Sequence, residues 1–156
     1  MTGRLQHIDF YQLAGDELDV LAAQLCDKSL AVGKKIIIYC DKEMAASVSR
    51  ALWVIRDLSF LAHGTDQDEG AEFASIWIST DLSKNQIEAE FAITLSGELM
   101  PDITSFERLF ILFNGKDEAS LTTARAHWKE NASAHAGHCR YFAKTDDGNW
   151  EQKASA

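Results

Sequence analysis

The sequence predicts a layered α/β domain of 156 residues. Short β-rich segments alternate with segments whose apolar residues recur at helical spacing, in the order strand, helix, strand, helix. One early strand is apolar at every position, which is typical of a strand buried on both faces of a parallel sheet. We therefore expect one three-layer domain over residues 1–156, with a central, mostly parallel sheet and helices on both faces. Residues 153–156 are expected to form a frayed tail.

The first half of the chain supplies two strands and two helices. Residues 7–13 alternate as a strand does, and residues 36–39 form the uninterrupted apolar strand. Between them, apolar residues recur at helical spacing over residues 18–32, and Gly33 is a natural helix stop. Asp41 can cap a second helix. The apolar face of that helix consists of Met44, Val48, Leu52 and Ile55.

The second half is richer in strands. We expect strands at residues 73–78, 88–95 and 106–113, and short final strands at residues 138–142 and 149–152. Asn114-Gly115 predicts a turn into a helix that spans roughly residues 117–134.

The net charge of −9 is unevenly distributed. Residues 1–115 contain 9 Lys and Arg against 18 Asp and Glu, whereas residues 116–156 contain 6 of each kind. The acidic first part argues against duplex DNA or phospholipid as the main partner, because phosphate binding needs a basic surface. Only the C-terminal quarter would not repel an acidic partner.

The sequence also indicates the cellular compartment in which the protein is expected. The chain has no apolar run near the ~20 residues that cross a bilayer, and its first residues lack the apolar core of a signal peptide. Three distant cysteines, Cys26, Cys40 and Cys139, favour reduced thiols over a disulfide framework. We therefore expect a cytoplasmic protein without membrane contact.

The motifs of nucleotide enzymes are absent. No G-x-x-x-x-G-K-[ST] loop and no G-x-G pair occurs, and no serine sits in a G-x-S-x-G elbow. A mononucleotide site without these loops remains open. Otherwise the sequence indicates no cofactor and no catalytic residue.

Two groups of residues could carry metal or thiol chemistry. His135, His138 and Cys139 lie close together, but a structural zinc site wants four ligands, so a histidine-containing surface loop is the preferred interpretation. Cys40 follows a buried strand, and His63 is the one base that the sequence offers to it. A buried structural cysteine is preferred there, and we expect no metal site.

The segment 51–64 closes a helix on Trp53 and continues into an unusually apolar loop with Phe60, Leu61 and His63. Aromatic side chains bury much area at low entropic cost, so this segment suits contact with another protein. The alternative is that Trp53 belongs to the core.

The late helix carries an aromatic side chain beside two cations. At about 100° per residue, Arg125, Trp128 and Lys129 fall in one sector of the helix. Such a sector can receive a peptide that is both acidic and hydrophobic, because the cations meet carboxylates while the ring lines an apolar slot. The alternative places Trp128 in the core, with the cations at its solvated margin and Glu118 partly neutralising them.

The chain resembles the chi subunit of bacterial DNA polymerase III, a clamp-loader accessory protein, over nearly its full length. The most specific motif is Ala51-Leu52-Trp53 followed by Ser59-Phe60-Leu61-Ala62-His63-Gly64. The other motifs, in the same order as in the family, are His7-Ile8-Asp9-Phe10-Tyr11-Gln12-Leu13, Gly33-Lys34-Lys35, Phe106-Glu107-Arg108, Phe113-Asn114-Gly115, Arg125, Trp128-Lys129 and Gly148-Asn149-Trp150.

The resemblance implies a non-enzymatic adaptor with a Rossmann-like fold that lacks the phosphate-binding loop. Chi-like proteins join the clamp loader, through the psi subunit, to the acidic C-terminal tail of single-stranded-DNA-binding protein, so contact with DNA is expected to be indirect. By position, Arg125, Trp128 and Lys129 match the tail-binding helix. The region that meets psi, or a competing helicase, is matched by Trp53, Phe60, Leu61 and His63.

Two other functions stay open at this point. One is a chi-like adaptor for a repair helicase that works outside the clamp loader. The other is a nucleotide-binding α/β enzyme without the standard motifs.

Overall fold

A computed structural model describes residues 5–14, 17–54, 63–65, 74–145 and 147–156 of the chain. Within these ranges it contains eight strands and three α-helices in one sheet-centred unit. The strands are β1 (His7–Leu13), β2 (Ile36–Tyr39), β3 (His63–Thr65), β4 (Ile76–Ser79), β5 (Phe91–Thr94), β6 (Arg108–Asn114), β7 (Cys139–Lys144) and β8 (Trp150–Ser155). The helices are α1 (Leu18–Ala31), α2 (Lys42–Val54) and α3 (Glu118–Ala134).

All the strands form one sheet in the order β3-β4-β2-β5-β6-β1-β7-β8. Every pairing is parallel except that of β7 with β8, which is antiparallel. β1 lies between β6 and β7, with Asp9 opposite Phe110 on one side and Arg140 on the other. The mostly parallel α/β sheet predicted from the sequence is therefore confirmed.

Helices cover both faces of the sheet. α1 and α2 pack on one face, where their buried residues join Ile36, Ile38 and Phe110 in one hydrophobic core. α3 packs on the other face, where Ala124 joins Phe10 and other strand residues in a second core. The two cores make the three layers expected of this architecture.

Local signals in the sequence place the helix ends. The backbone N–H of Met44 donates to Asp41 Oδ1 at 2.7 Å, so Asp41 caps α2 as predicted. Asp117 caps α3 in the same way through the N–H of Ser120 at 3.2 Å. Gly33 follows the end of α1 with φ 77°, a conformation that glycine adopts without a steric penalty.

The predicted strand at residues 88–95 is shorter than expected. β5 begins only at Phe91, because the Asn85 side chain binds both the N–H and the C=O of Ala89 at 2.8 and 3.1 Å. Glu88 has φ 52°, which turns the chain before the strand starts. Ala89 consequently packs in the α3 core, whereas Phe91 packs against the α1–α2 core, so the two residues do not share a face.

The structure of the C-terminal residues also differs from the prediction. Residues 153–155 belong to β8 rather than to a frayed tail. Ala156 exchanges two backbone hydrogen bonds with Cys139, each 2.8 Å long. The β7–β8 pairing contains a bulge between Tyr141 and Phe142, and β8 continues past it. The sequence pattern does not reveal this bulge.

No helix among the described residues is both long enough and apolar enough to cross a membrane.

Candidate functional site

Helix α3 presents the predicted aromatic and cationic side chains at the edge of its packed face. Its buried positions are Ala124 and Asn131. At about 100° per residue, Trp128 lies about 40° from Ala124 around the helix, Arg125 about 100° and Lys129 about 140°. The indole therefore borders the core, and the two cations follow it outwards towards solvent.

Trp128 is half-buried, and its inner side packs on two aromatic rings of the sheet. The indole meets Phe10 at 5.6 Å and Tyr141 at 5.5 Å between ring centroids, with interplanar angles of 89° and 81°. Edge-to-face pairs of this kind stabilise aromatic clusters. Trp128 thus belongs partly to the core and partly to the surface, and its role in binding a peptide stays a prediction.

Arg125 and Lys129 are both exposed. Neither forms an ion pair with any residue in the described ranges, and Glu118 on the same helix does not reach them. Burial raises the pKa of the Tyr141 phenol, and the positive charge of Arg125 acts in the opposite direction. Helical geometry places Arg125, Trp128 and Lys129 at one edge of α3.

Tyr141 and Gln12 belong to this site, although no local sequence pattern marks them as site residues. The Tyr141 hydroxyl donates to Gln12 Oε1 at 2.5 Å. These two residues are 129 positions apart, and they meet because β1 and β7 are parallel neighbours. No local motif signals such a contact. Only knowledge of the strand order would have revealed it.

Cations elsewhere in the sheet have carboxylate partners. Asp9 is fully buried and binds Arg140 at 2.7 Å and Arg108 at 2.9 Å. Lys144 pairs with Glu17 at 2.9 Å. The edge of α3 therefore differs from these sites, because its two cations face solvent without a carboxylate partner among the described residues.

The end of α2 forms a second exposed surface. Trp53 is 54% exposed and Val54 is 69% exposed. This exposure excludes a fully buried role for Trp53. Phe60 and Leu61 lie outside the described residues, and His63 is described only as the first residue of β3. The structure therefore tests the position of Trp53 alone among the residues predicted here.

No three His, Cys, Asp or Glu side chains within the described residues come close enough to hold a metal ion. The ring of His138 contacts the carbonyl of Gln6 at 3.0 Å, and the Cys139 thiol is buried against the carbonyl of Asn131 at 3.4 Å. Burial raises the pKa of the Cys139 and Cys26 thiols, which disfavours the reactive thiolate at both. Cys26, Cys40 and Cys139, all within the described part of the chain, form no disulfide.

A family model described as DNA polymerase III chi subunit, HolC, matches residues 5–137 of the chain. Together with the sheet topology, this match assigns the chain to the α/β accessory proteins of DNA replication. The chain belongs to the DNA polymerase III chi subunit family, as its sequence motifs indicated. That family comprises non-catalytic accessory subunits associated with the clamp-loader complex. A search of curated proteins found no match.

Proposed function

We propose that this chain connects the clamp loader of DNA polymerase III to the acidic C-terminal tail of single-stranded-DNA-binding protein. The observation that supports the proposal is the edge of α3. There, Arg125 and Lys129 are exposed without an ion pair in the described residues, next to the half-buried indole of Trp128. A peptide that ends in aspartates and one hydrophobic residue is complementary to this arrangement.

The geometry suggests how the peptide would lie. The terminal residue carries its side chain and its carboxylate on the same Cα atom, so both must be received within a few ångströms. Arg125 is closer than Lys129 to Trp128 around the helix, and its planar guanidinium can bind a carboxylate through two hydrogen bonds. We therefore assign the hydrophobic side chain to Trp128 and the terminal carboxylate to Arg125. Lys129 takes the aspartates that precede the terminus.

The binding should be weak and sensitive to salt. A short tail orders only a few side chains against one indole and two cations, which corresponds to a dissociation constant of about 1–100 μM. Both cations are exposed, so salt screens them efficiently, with a Debye length of about 10 Å at 0.1 M. We expect the affinity to decrease steadily as salt is added.

A fluorescently labelled tail peptide, titrated against purified protein, tests the proposal. Arg125→Ala should weaken binding by about tenfold, because one charge-assisted contact is lost. Lys129→Glu should weaken binding at least as much, since it replaces attraction by repulsion. Arg50→Ala is the matched control, because Arg50 is an exposed arginine on α2, across the sheet from α3. Equal affinities for all four proteins would remove α3 from the binding site.

We further propose that the exposed end of α2 contacts the psi subunit. Trp53 and Val54 are adjacent, large and exposed, and such side chains are common anchors at protein interfaces. Trp53→Ala should abolish co-purification of psi with this chain. Its affinity for the tail peptide, measured by titration, should be unchanged. Trp150→Ala, which truncates an exposed tryptophan on β8, is the matched control. Co-purification of psi with Trp53→Ala at the wild-type level would contradict this assignment.

A repair helicase is the alternative partner for the same surface. A pull-down of native partners with wild-type protein and Trp53→Ala separates the two cases, because it shows which partner depends on Trp53.

A further inference from the structure

Two aromatic rings of the sheet support the Trp128 indole from its inner side. Phe10 of β1 and Tyr141 of β7 lie nearly parallel, with an interplanar angle of 10° and 6.1 Å between ring centroids. The indole meets both rings edge-to-face, at 5.6 Å and 89° for Phe10 and at 5.5 Å and 81° for Tyr141. We call Phe10 and Tyr141 the ring pair, and their contacts define one orientation of the indole.

The ring pair is itself held in place. Phe10 is fully buried. Tyr141 packs on Phe113 at 6.0 Å between ring centroids, and its hydroxyl donates to Gln12 Oε1 at 2.5 Å. A Cβ atom at residue 115 would lie 2.7 Å from Gln12 Cγ, so Gly115 leaves Gln12 the space that this contact needs. Contacts from β6, from β1 and from the turn before α3 therefore fix the ring beneath the indole.

The outer side of the indole differs from the inner side. Trp128 is half-buried, and its ring contacts within the described residues come from Phe10 and Tyr141. An indole that is already held in one orientation loses little side-chain entropy when a ligand packs on its exposed side. The apolar surface at the edge of α3 is therefore formed before any peptide binds.

We infer that Tyr141, together with Phe10, is a positioning residue that holds the Trp128 indole as a preformed apolar surface for the terminal hydrophobic side chain of the tail. The inference rests on the proposed tail-binding function. Phe10 is fully buried, whereas Tyr141 is half-buried, so Tyr141 is the member of the ring pair to change. Selectivity for a large terminal side chain depends on Tyr141 through Trp128.

The test compares two tail peptides, both free acids, that differ only in a terminal leucine or alanine. Their carboxylates are identical, so the ratio of their affinities reports the apolar surface alone. Wild-type protein should prefer the leucine peptide by about tenfold, because the larger side chain buries more apolar area. Tyr141→Leu keeps an apolar side chain and removes the ring. It should reduce the preference to about threefold, since the indole must then be immobilised on binding.

Two control variants accompany Tyr141→Leu. Tyr141→Phe keeps the ring between Phe10 and Phe113, so the preference should stay within about twofold of the wild-type value. Tyr11→Leu is the matched control on the opposite face of the sheet, where Tyr11 meets the Trp150 indole at 5.3 Å and 85°. It removes a comparable edge-to-face contact from a different tryptophan, so it should leave the preference unchanged.

A second measurement needs no peptide. NMR relaxation of the indole N–H groups reports the mobility of each tryptophan, and Trp128→Phe identifies the Trp128 signal. The order parameter of the Trp128 indole should be about 0.85 in the wild type, the value of a rigid group, and Tyr141→Leu should lower it towards about 0.6. Tyr141→Phe should leave it unchanged. This measurement detects positioning directly in the free protein.

The outcomes separate the inference from the proposed function. If Arg125→Ala weakens the binding of both peptides and Tyr141→Leu keeps the tenfold preference, the positioning role is overturned and the proposed function stands. A reduced preference with a rigid indole would mean that Tyr141 contacts the peptide itself, and it would also overturn the positioning role. Equal losses in Tyr141→Leu and Tyr11→Leu would do the same, because they would indicate a general structural effect. If Arg125→Ala and Lys129→Glu bind both peptides as the wild type does, the proposed function is overturned and the inference with it.

Discussion

Two groups of cations lie on opposite faces of the sheet. On the α1–α2 face, the fully buried Asp9 neutralises both Arg108 and Arg140. On the α3 face, Arg125 and Lys129 are exposed at the edge of the helix, and no carboxylate within the described residues pairs with either of them. The comparison shows that a cation neutralised within the fold links strands, whereas the cations at the helix edge have no such carboxylate among the described residues, and we propose that their charge serves a partner.

The largest expected effect concerns Asp9, the buried carboxylate that pairs with Arg108 and Arg140. Asp9→Asn keeps the shape of the side chain and removes the charge that holds two arginines, whose side chains are 33% and 31% exposed. Breaking a buried ion pair from one side costs about 3–5 kcal/mol, and partial hydration of the arginines lowers the expected loss of unfolding free energy to about 2–3 kcal/mol. Urea denaturation measures it.

Glu17→Gln is the control for Asp9→Asn. It breaks the exposed Lys144–Glu17 pair and should change the unfolding free energy by less than about 0.5 kcal/mol. If the two variants were equally stable, the buried carboxylate would not hold the strands, and the contrast between the two faces would fail.

An intermediate effect is expected at Trp128, which serves both the core and the proposed site. Trp128→Ala removes two edge-to-face contacts from a half-buried ring, and it should lower the unfolding free energy by about 2 kcal/mol. Tail affinity should also fall by at least about tenfold, because the apolar slot is lost. Thermal denaturation and peptide titration measure the two effects. A loss of stability with unchanged tail affinity would assign Trp128 to the core alone.

The smallest expected effect is a pH dependence of the unfolding free energy that arises from His7, which lies in the same strand as Asp9. Burial, and then the charge of Arg140, lower the pKa of His7 below its ordinary value of 6.5. Below about pH 6.5 the unfolded chain therefore binds a proton more readily than the folded protein, so the unfolding free energy decreases as pH falls through that region. His7→Asn should remove this part of the slope in urea denaturation series. An unchanged slope would show that His7 does not contribute.

Much of the fold could be predicted from local sequence signals. β1, β2 and all three helices follow from apolar periodicity and from capping residues such as Asp41 and Asp117, whose effects act within a few positions. The start of β5 could not be predicted in this way. It depends on two hydrogen bonds between the Asn85 side chain and the backbone of Ala89. These bonds end the strand earlier than the alternation of apolar and polar residues predicts.

The candidate site was predictable only on its helix. Arg125, Trp128 and Lys129 share a sector because helical geometry alone brings them together. Gln12 and Tyr141 join them through the pairing of β1 with β7, and Gly115 matters because of one close approach to Gln12. The sequence pattern also could not show that Arg108 and Arg140 are neutralised, since their shared partner Asp9 lies in a third strand.

The most direct test of the account is to map where the tail peptide binds. Backbone and indole N–H resonances of isotopically labelled protein would be followed by NMR during a titration with the free-acid peptide. We predict that the shifts centre on Arg125, the Trp128 indole, Lys129 and Tyr141, and that the resonances of Tyr11, Arg108 and Arg140 remain in place. Shifts centred on the Arg108–Arg140 side of the sheet, with the Trp128 indole unmoved, would contradict the account.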